Sequence, residues 1–382
     1  MYFDRRILRY FDWGLLGLCL AITLCGLLVL YSAGYDPDNA QKIFPFTPFR
    51  SNAAPFYRQG FFILVGLIMM LAGASIPSQW LYRFAYPLYA VCVVLLAAVL
   101  AVGVIAKGSQ RWLSLGPISF QPSEMMKLAA ILCMSRYLSR AVPPAGGYRI
   151  TGLIVPCLIF GLPMVLIMAQ PDLGTALAIG AVGFAMVLFM GVRWRTMLLM
   201  GGCAVAAFVP AWEFLLHDYQ KRRVMVLFNP EADPLGSGYH IIQSTIAVGS
   251  GLLFGKGFMQ GTQTQLEFLP EHTTDFIFSV LAEEWGFVGC IFVLLLYALL
   301  IFKLLRVVNK SKDLFLSLVV LGVTAQVFLN AAINVGMVVG MLPVVGIPLP
   351  LFSYGGTSLI STMFALGIVL GISTRRWTYL VR

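Results

Sequence analysis

Long apolar runs, separated by short polar stretches, follow one another along almost the whole chain. The runs lie at residues 14–33, 57–76, 84–106, 124–138, 150–169, 173–192, 196–216, 275–302, 314–341 and 355–373. Most of them reach the roughly 20 residues that an α-helix needs to cross a hydrocarbon core of about 30 Å, and the fourth run is the short one. The pattern predicts an all-α integral membrane protein, a polytopic helical bundle of about ten transmembrane helices.

Composition agrees with this class and excludes a soluble domain of the same size. The 382 residues are 59% hydrophobic and 11% charged, with a mean hydropathy of +0.87. Arg5, Arg6 and Arg9 precede the first run, and most of the 26 Lys and Arg residues then fall on the side of the membrane where the N-terminus lies. By the positive-inside rule, both termini of a ten-span chain are expected in the cytoplasm.

Two kinds of partner are not indicated by the composition. The formal net charge of +10 does not predict nucleic-acid binding, because the basic residues lie mainly in short loops whose charge the orientation rule explains. The seven cysteines lie inside apolar runs without paired spacing. We therefore expect them to be small core residues and neither disulfides nor metal ligands.

The longest polar stretch, residues 217–274, lies between the seventh and eighth predicted helices. It is expected to be a large extracytoplasmic loop within one membrane domain that covers residues 1–382. The loop contains all three histidines, His217, His240 and His272, whose spacing matches no zinc pattern. Its Gly-rich part fails the spacing test for a nucleotide-binding loop, so we expect a segment that dips into the outer leaflet.

The end of this loop passes without a break into an apolar run, in residues 269–286, LPEHTTDFIFSVLAEEWG. Thr273 and Thr274 are candidate caps for one long helix that starts near Asp275. Residues 275–302 would span about 42 Å as a helix, which is more than a bilayer requires. Asp275, Glu283 and Glu284 are therefore expected to protrude or to line a wet cavity near one membrane face.

Polar groups at the start of the fourth run leave two interpretations open. Trp112 lies in a predicted hairpin or amphipathic turn, either as an interfacial anchor or as a platform for a sugar or lipid head group. Glu124 and Lys127 are three residues apart in the first turn of a helix that starts at residues 121–123. They form either a structural ion pair or part of a polar substrate cavity. Asp172 is expected to cap the sixth helix.

The basic cluster Lys221, Arg222 and Arg223 lies on the side where positive loops are disfavoured. An anionic partner such as a diphosphate would explain it, and so would a solvated charge run.

Two further polar features lie near the C-terminal end. Gln326, Asn330 and Asn334 recur every four residues and form one stripe on a helix, which either bonds a neighbouring helix or lines a cavity. The turn that contains Ser353, Gly355 and Gly356 precedes the last helix. Its backbone N–H groups either bind an anion or only cap that helix.

Taken together, five ordered motifs resemble those of one family, the SEDS proteins of shape, elongation, division and sporulation. The motifs are QRWLSLGPISFQPSEMMK, QPDLGT, HDYQKRRVMVLFNPEADPLGSGYHIIQSTIAVGSG, GTQTQLEFLPEHTTDFIFSVLAEEWG and AQVFLNAAINVGMVVGMLPVVGIPLPLFSYGGTSL. The sequences of the loop from His217 and of VVGIPLPLFSYGG are more similar to the elongation branch, RodA, than to the division branch, FtsW. The long first outer loop is the one departure.

The resemblance implies a peptidoglycan glycosyltransferase that joins lipid II units outside the bacterial cytoplasmic membrane during cell elongation. Asp275 matches the family's essential acid, and Trp112, Glu124 and Lys127 match other motif residues. The implied partners are a class B penicillin-binding protein, lipid II, the nascent glycan strand and the elongation machinery. No cofactor is certain, although a divalent cation, Mg or Mn, could activate the acceptor hydroxyl.

A base near the outer face and positive groups for a leaving diphosphate are what this reaction requires. Asp275 is the candidate base, and Lys127 with part of residues 221–223 are candidate diphosphate contacts. Two other functions stay open on the residues alone. A flippase or transporter for a lipid-linked precursor would also use a polar stripe and an intramembrane charge pair. A scaffold without chemistry would not depend on Asp275.

Overall fold

The structure is a computed structural model, and it describes residues 11–34, 54–106, 109–115, 118–141, 143, 146–216, 218–233, 236–266, 268–269 and 271–375. Arg5, Arg6, Arg9 and His217 lie outside these residues. The described chain is almost entirely helical, as the apolar pattern predicts.

Helices make up the membrane part and also most of the large loop. In chain order they are α1 (Trp13–Ala33), α2 (Ala54–Ser75), α3 (Ser78–Val102), α4 (Pro122–Arg140), α5 (Ile154–Met168), α6 (Leu173–Met190), α7 (Trp194–Pro210), α8 (Asp218–Phe228), α9 (Ser237–Ser250), α10 (Thr262–Gln265), α11 (Ile277–Lys310), α12 (Leu314–Val338) and α13 (Gly356–Arg375). Short 3-10 turns (Ile150–Leu153 and Pro230–Ala232) and a π-helical turn (Ala211–Leu215) connect some of them.

Each of the ten apolar runs forms a helix. Within the described residues, nine helices are long and apolar enough to cross a membrane. The remaining run forms α4, whose 19 residues are mostly buried and include the charged pair at its start. The chain is therefore a multi-pass membrane protein.

By their contacts, the residues divide into two compact units. The first consists of Met1–Ile76, Asn229–Lys310 and Asn330–Arg382, and the second of Pro77–Phe228 and Ser311–Leu329. We call them unit 1 and unit 2 and describe each by itself. The single membrane domain over residues 1–382 stays a prediction.

In unit 1, α2 and α13 pack closely because glycines let their backbones approach. A Cβ added at Gly367 would lie 2.1 Å from the carbonyl oxygen of Met70, and one at Gly371 would lie 2.5 Å from that of Ala74. Small residues at such crossings are common in membranes, where helix association depends on van der Waals packing. The two helices therefore form a tight pair.

The N-terminus of α1 is also held in unit 1. The Asp12 carboxylate accepts a hydrogen bond from the Leu15 amide over 3.1 Å, and it pairs with Lys303 of α11 over 2.6 Å. Burial alone would raise the pKa of Asp12, but the hydrogen bonds from Lys303 and Leu15 hold it below its usual value.

Unit 2 contains the small sheet of the described chain, an antiparallel meander in the order β1 (Val104–Ala106), β2 (Ser109–Leu115), β3 (Ile118–Phe120). Leu115 pairs with Ile118 where β2 and β3 meet. The antiparallel pairing agrees with the predicted hairpin, whose central residues 116 and 117 lie outside the described residues. Because α4 begins directly after β3, the meander fixes where the polar end of α4 lies.

The long helix begins two residues after Asp275, close to the predicted start, but the predicted threonine cap and the unbroken course of the helix are wrong. Residues 271–276 form a turn, in which the Phe276 amide donates to the Glu271 carbonyl over 3.2 Å, and α11 starts only at Ile277. Thr274 bonds Glu271 and does not cap the helix. In addition, α11 is interrupted at Gly286, whose φ of 63° and ψ of −162° are not helical.

The close α2–α13 contact makes a prediction about stability. Gly367→Ala should lower the thermal unfolding temperature in detergent, because its Cβ would overlap the Met70 carbonyl and overpacking costs about 1–3 kcal/mol. The matched control is Gly60→Ala in α2, where a Cβ meets no atom within 4 Å. The control should be as stable as the unmodified chain or more so, since Ala favours a helix by about 1 kcal/mol. Equal stability of both variants would contradict the proposed packing.

Candidate active site

Asp275 lies in the turn before α11, and other segments of unit 1 fix the backbone of that turn. The Asn334 side chain of α12 donates through Nδ2 to the Asp275 carbonyl over 2.8 Å. The Tyr354 amide donates to the Thr273 carbonyl over 3.1 Å. Gly346 has a φ of 70°, and a Cβ there would lie 3.4 Å from Asp275 Oδ2. Backbone therefore passes close beside the half-buried carboxylate.

Aromatic and imidazole rings hold the residues on either side of the acid. Phe276 is buried, and its ring lies 5.8 Å from that of His240 in a stacked arrangement. The ring nitrogens of His272 contact the carbonyls of Leu269, over 2.5 Å, and Ala33, over 3.1 Å. Burial lowers the pKa of His240, although the charge of Glu271 opposes this shift. His272 therefore bonds within the loop that leads to the acid, and His240 of α9 packs against Phe276.

The polar stripe of α12 is buried along its length. Asn334 is fully buried, and Asn330 is 5% exposed. The Asn334 amide donates to the carbonyls of Asp275 and Ile347, each over 2.8 Å, which fixes the orientation of the side chain. Among the described residues, its Oδ1 atom has no hydrogen-bond partner, and neither has that of Asn330 or the Oε1 atom of Gln326.

A buried carbonyl oxygen without a donor costs about 1–3 kcal/mol and calls for an explanation. In unit 1, Asn330 and Asn334 hold two such oxygens one helical turn apart, and Asn334 also bonds the backbone of Asp275. Asn334 thus bonds neighbouring segments, as one interpretation of the stripe predicts, and the alternative that the stripe lines a cavity stays a prediction.

The turn before α13 is held by Gln59 of α2. Its Nε2 donates to the Ser353 carbonyl over 3.1 Å, and its Oε1 accepts from the Gly355 amide over 3.4 Å. The Ser353 hydroxyl accepts from the Leu349 amide over 2.8 Å. A Cβ at Gly356 would lie 2.6 Å from a phenylalanine ring of α2. These contacts account for Ser353, Gly355 and Gly356 as turn residues, and their role toward an anion stays a prediction.

In unit 2, Glu124 and Lys127 form the expected ion pair at the start of α4. Lys127 Nζ lies 2.8 Å from Glu124 Oε1, and the two side chains are only 8% and 6% exposed. Trp112 lies on β2, opposite Val104, and is half-buried. The pair and the tryptophan thus belong to one meander-and-helix element.

Sequence reasoning did not single out Arg111, the neighbour of Trp112. Its guanidinium lies 3.5 Å from the Asp172 carboxylate and donates to the Pro171 carbonyl over 2.5 Å. Asp172 accepts from the amide and the hydroxyl of Thr175, so it caps α6 as predicted. The only signal in the sequence was a cation beside a motif tryptophan, because the partner lies sixty residues away.

The basic cluster lies on α8 in unit 2, near an apolar cavity of about 390 Å³. Lys221 donates to the Glu213 carbonyl over 3.3 Å, and Arg222 is exposed. Arg223 is half-buried. Side chains of α7, α8 and the π-helical turn between them line the cavity: Phe208, Trp212, Glu213, Val224, Met225 and Phe228. Cationic and apolar surfaces therefore meet on α8.

Of the two environments expected for Glu283 and Glu284, the exposed one is wrong, because the two acids are 0% and 2% exposed. Glu283 pairs with Lys256 over 2.7 Å, as a buried structural group would. The sequence does not identify this partner, because it comes from the preceding loop, which helix periodicity cannot locate.

The predicted residues thus fall into two sets. Unit 1 brings together Asp275, Asn330, Asn334 and the turn at Ser353, Gly355 and Gly356. Unit 2 holds Trp112, Glu124, Lys127 and the cluster Lys221, Arg222 and Arg223. In the part of the chain that the structure describes, no three His, Cys, Asp or Glu side chains are grouped closely enough to hold a metal ion. A divalent cation at this site stays a prediction.

A family model described as "Cell cycle protein", FTSW_RODA_SPOVE, matches residues 12–377. The peptidoglycan glycosyltransferase MrdB of Escherichia coli (strain K12) is 49% identical over 315 residues, which cover 82% of this chain and 84% of that protein.

Solved structures are similar over nearly the whole length. One belongs to work described as "Structural coordination of polymerization and crosslinking by a peptidoglycan synthase complex". It has a TM-score of 0.78 and 35% identity, over 96% of this chain and 98% of that one. The rod shape determining protein RodA of Thermus thermophilus has a TM-score of 0.69 and 33% identity, with the same coverage.

The buried pair on α4 makes a prediction about stability. Lys127→Met should destabilise the chain by about 3–5 kcal/mol, because it leaves the Glu124 carboxylate buried without its cation. The double variant Glu124→Gln, Lys127→Met removes both charges and should recover most of the loss. Thermal unfolding in detergent measures both. If the single variant unfolds at the temperature of the unmodified chain, the pair is not a structural ion pair.

Proposed function

The chain belongs to the FtsW, RodA and SpoVE family, and on that premise we propose that it polymerises lipid II at the outer face of the bacterial cytoplasmic membrane. It is a peptidoglycan glycosyltransferase of the RodA type, the elongation branch. We propose, in addition, that lipid II is the substrate, that the chain lies in the cytoplasmic membrane with both termini inside, and that single residues have the roles given below.

One observation carries the assignment of the site. Asn334 bonds the backbone of Asp275, and the side-chain oxygens of Asn334 and Asn330 are buried without a donor from the residues that the structure describes. An acid beside acceptor groups suits a sugar, which brings several hydroxyl and amide donors and must lose one proton. We assign this region of unit 1 to the acceptor sugar.

In the proposed reaction, the acceptor 4-hydroxyl oxygen attacks the anomeric carbon of the donor sugar. The new β-1,4 bond forms as the bond from that carbon to the diphosphate oxygen breaks, and the polyprenyl diphosphate leaves with the electron pair. Asp275 accepts the hydroxyl proton, or orients the hydroxyl for attack. A positioned base contributes about 10²–10⁴-fold to such a step.

Cationic groups of unit 2 are the candidates for the diphosphate. The Lys127 ammonium has three N–H groups, and only one of them is needed for its bond to Glu124. The other N–H groups could donate hydrogen bonds to a phosphate oxygen. The cluster Lys221, Arg222 and Arg223 adjoins an apolar cavity on α8, which suits the junction of a diphosphate and a polyprenyl chain. Trp112 is a candidate platform for a sugar or head group. A divalent ion that arrives with the diphosphate stays a prediction.

Charge distribution supports the orientation that we propose. With both termini in the cytoplasm, the basic loops lie inside and the turn that carries Asp275 faces outward. The acceptor would then reach the acid from the side of the membrane where the wall is built.

A class B penicillin-binding protein is the partner that we propose, with the nascent glycan strand and the elongation machinery. The similar solved chain belongs to a complex that coordinates polymerization and crosslinking. A transpeptidase beside this chain would crosslink the strand as it forms.

The interruption of α11 favours one rival function. Broken helices with polar linings also occur in transporters, so a flippase for a lipid-linked precursor would fit Gly286 and the α12 stripe. Liposomes that contain lipid II separate the two. Flipping predicts moved but unjoined lipid II, whereas polymerisation predicts glycan chains without net movement.

Asp275→Asn should abolish polymerisation, with the rate on purified lipid II reduced by about 10²-fold or more. Asparagine keeps the shape of the side chain but cannot take the proton. Glu231→Gln, an exposed acid of the same large loop, is the control and should keep the rate of the unmodified chain. Gel analysis of the glycan formed over time measures the polymerisation rate of both variants. Wild-type polymerisation by folded Asp275→Asn protein would refute the catalytic assignment.

A further inference from the structure

Gly286 divides α11 into a short segment that follows Asp275 and a long segment that continues across the membrane. Its positive φ of 63° breaks the helical hydrogen-bond ladder at this point. Inside a bilayer, backbone groups freed in this way must find partners within the protein. Without them, Gly286 would be a hinge between Asp275 and the rest of the helix.

The loop at residues 252–257 supplies those partners from both sides of the break. The amides of Lys256 and Gly257 donate to the carbonyls of Glu283, over 2.9 Å, and Glu284, over 3.0 Å. Beyond the break, the amide of Phe287 donates to the carbonyl of Leu252 over 2.9 Å, and Val288 donates to Leu253 over 3.1 Å. The loop thus completes the interrupted ladder.

Glycines make this close approach possible. A Cβ at Gly255 would lie 2.1 Å from the Glu284 carbonyl oxygen, and one at Gly251 would lie 1.9 Å from that of Ala282. A Cβ at Gly286 would lie 2.3 Å from the Gly255 nitrogen. Loop and helix therefore touch backbone to backbone.

A buried charge network fastens the loop to the short segment. Glu283 Oε1 accepts from Lys256 Nζ over 2.7 Å, from the Gln263 amide over 3.0 Å and from the Thr262 hydroxyl over 3.2 Å. Its Oε2 accepts from the Thr264 hydroxyl over 3.4 Å. Because Glu283 is fully buried, the four donors together replace its lost hydration.

The neighbouring acid ties the same loop to α1. Ser32 donates its hydroxyl to Glu284 Oε1 over 2.5 Å and accepts from the Met259 amide over 3.2 Å. We call the loop at residues 251–265, with its bonds to Glu283 and Glu284, the clamp.

We propose that Glu283 and Lys256 are positioning residues of the glycosyltransferase, because the clamp immobilises the hinge at Gly286 and so fixes where Asp275 lies. Asn334 and the turn at Tyr354 hold the segment at the acid, and the clamp holds its other end. The inference rests on the proposed role of Asp275.

The test compares Lys256→Met, Glu283→Gln and the double variant as full-length protein in proteoliposomes with lipid II. Each single variant should lower kcat by about tenfold to a hundredfold with KM nearly unchanged, since a small misplacement of a catalytic group costs up to about 10²-fold. The double variant should be no slower than the slower single variant, because the two residues act as one unit. Lys256→Arg, which keeps the charge, should restore most of the rate.

Hydrogen exchange supplies a readout besides activity. Amides at residues 283–288 should exchange faster in Lys256→Met than in the unmodified chain. Lys303→Met is the matched control, because it breaks an ion pair of 2.6 Å with Asp12 at the other end of the same helix. It should leave kcat and the exchange at residues 283–288 unchanged.

The proposal is overturned if Lys256→Met and Glu283→Gln keep the kcat of the unmodified chain per folded molecule, or if only their thermal stability falls. Glu283→Gln could fail to fold, and Lys256→Met, whose side chain is 28% exposed, then decides the question. Failure of the proposed function looks different, since the unmodified chain itself would form no glycan.

Discussion

Backbone hydrogen bonds that a membrane helix gives up must be made elsewhere in the protein, and this constraint acts on α11 at Gly286. The loop at residues 252–257 meets it with four main-chain hydrogen bonds, two on each side of the break. Glycines at residues 251, 255 and 286 allow the contact. The part of the large loop that belongs to unit 1 therefore completes the backbone hydrogen bonds of α11, and these bonds fix the direction of the short segment of the helix.

The position of Asp275 depends on the direction of this segment and on the side chains around the acid. Asn334 donates a hydrogen bond to the backbone carbonyl of Asp275, and the next residue, Phe276, is buried. Gln59 holds the turn before α13. The side-chain oxygens of Asn334 and of Asn330 are buried and accept no hydrogen bond from the described part of the chain. In the proposed function, these backbone contacts hold Asp275 in place before the sugar hydroxyl arrives, which lowers the cost of positioning the reacting groups.

Much of this arrangement was predictable from local patterns. Apolar runs located the helices, the spacing of Glu124 and Lys127 predicted their ion pair, and Asp172 was identified as a cap because capping depends on neighbouring residues. The break at Gly286 was missed, since a single glycine in an apolar run does not distinguish a tolerated helix residue from an interruption. The sequence does not identify the cation that pairs with Glu283, because Lys256 comes from a loop without periodicity.

The central claim is that the acceptor sugar binds at Asp275, with its donors on the oxygens of Asn330 and Asn334. A cryo-electron microscopy structure of the full chain as Asp275→Asn, with a lipid-linked acceptor bound, measures this directly. The account predicts the 4-hydroxyl oxygen within about 2.6–3.2 Å of the residue 275 side chain, and a sugar donor on at least one of the two asparagines. A sugar bound away from residue 275, with both amide oxygens still unoccupied, would contradict it.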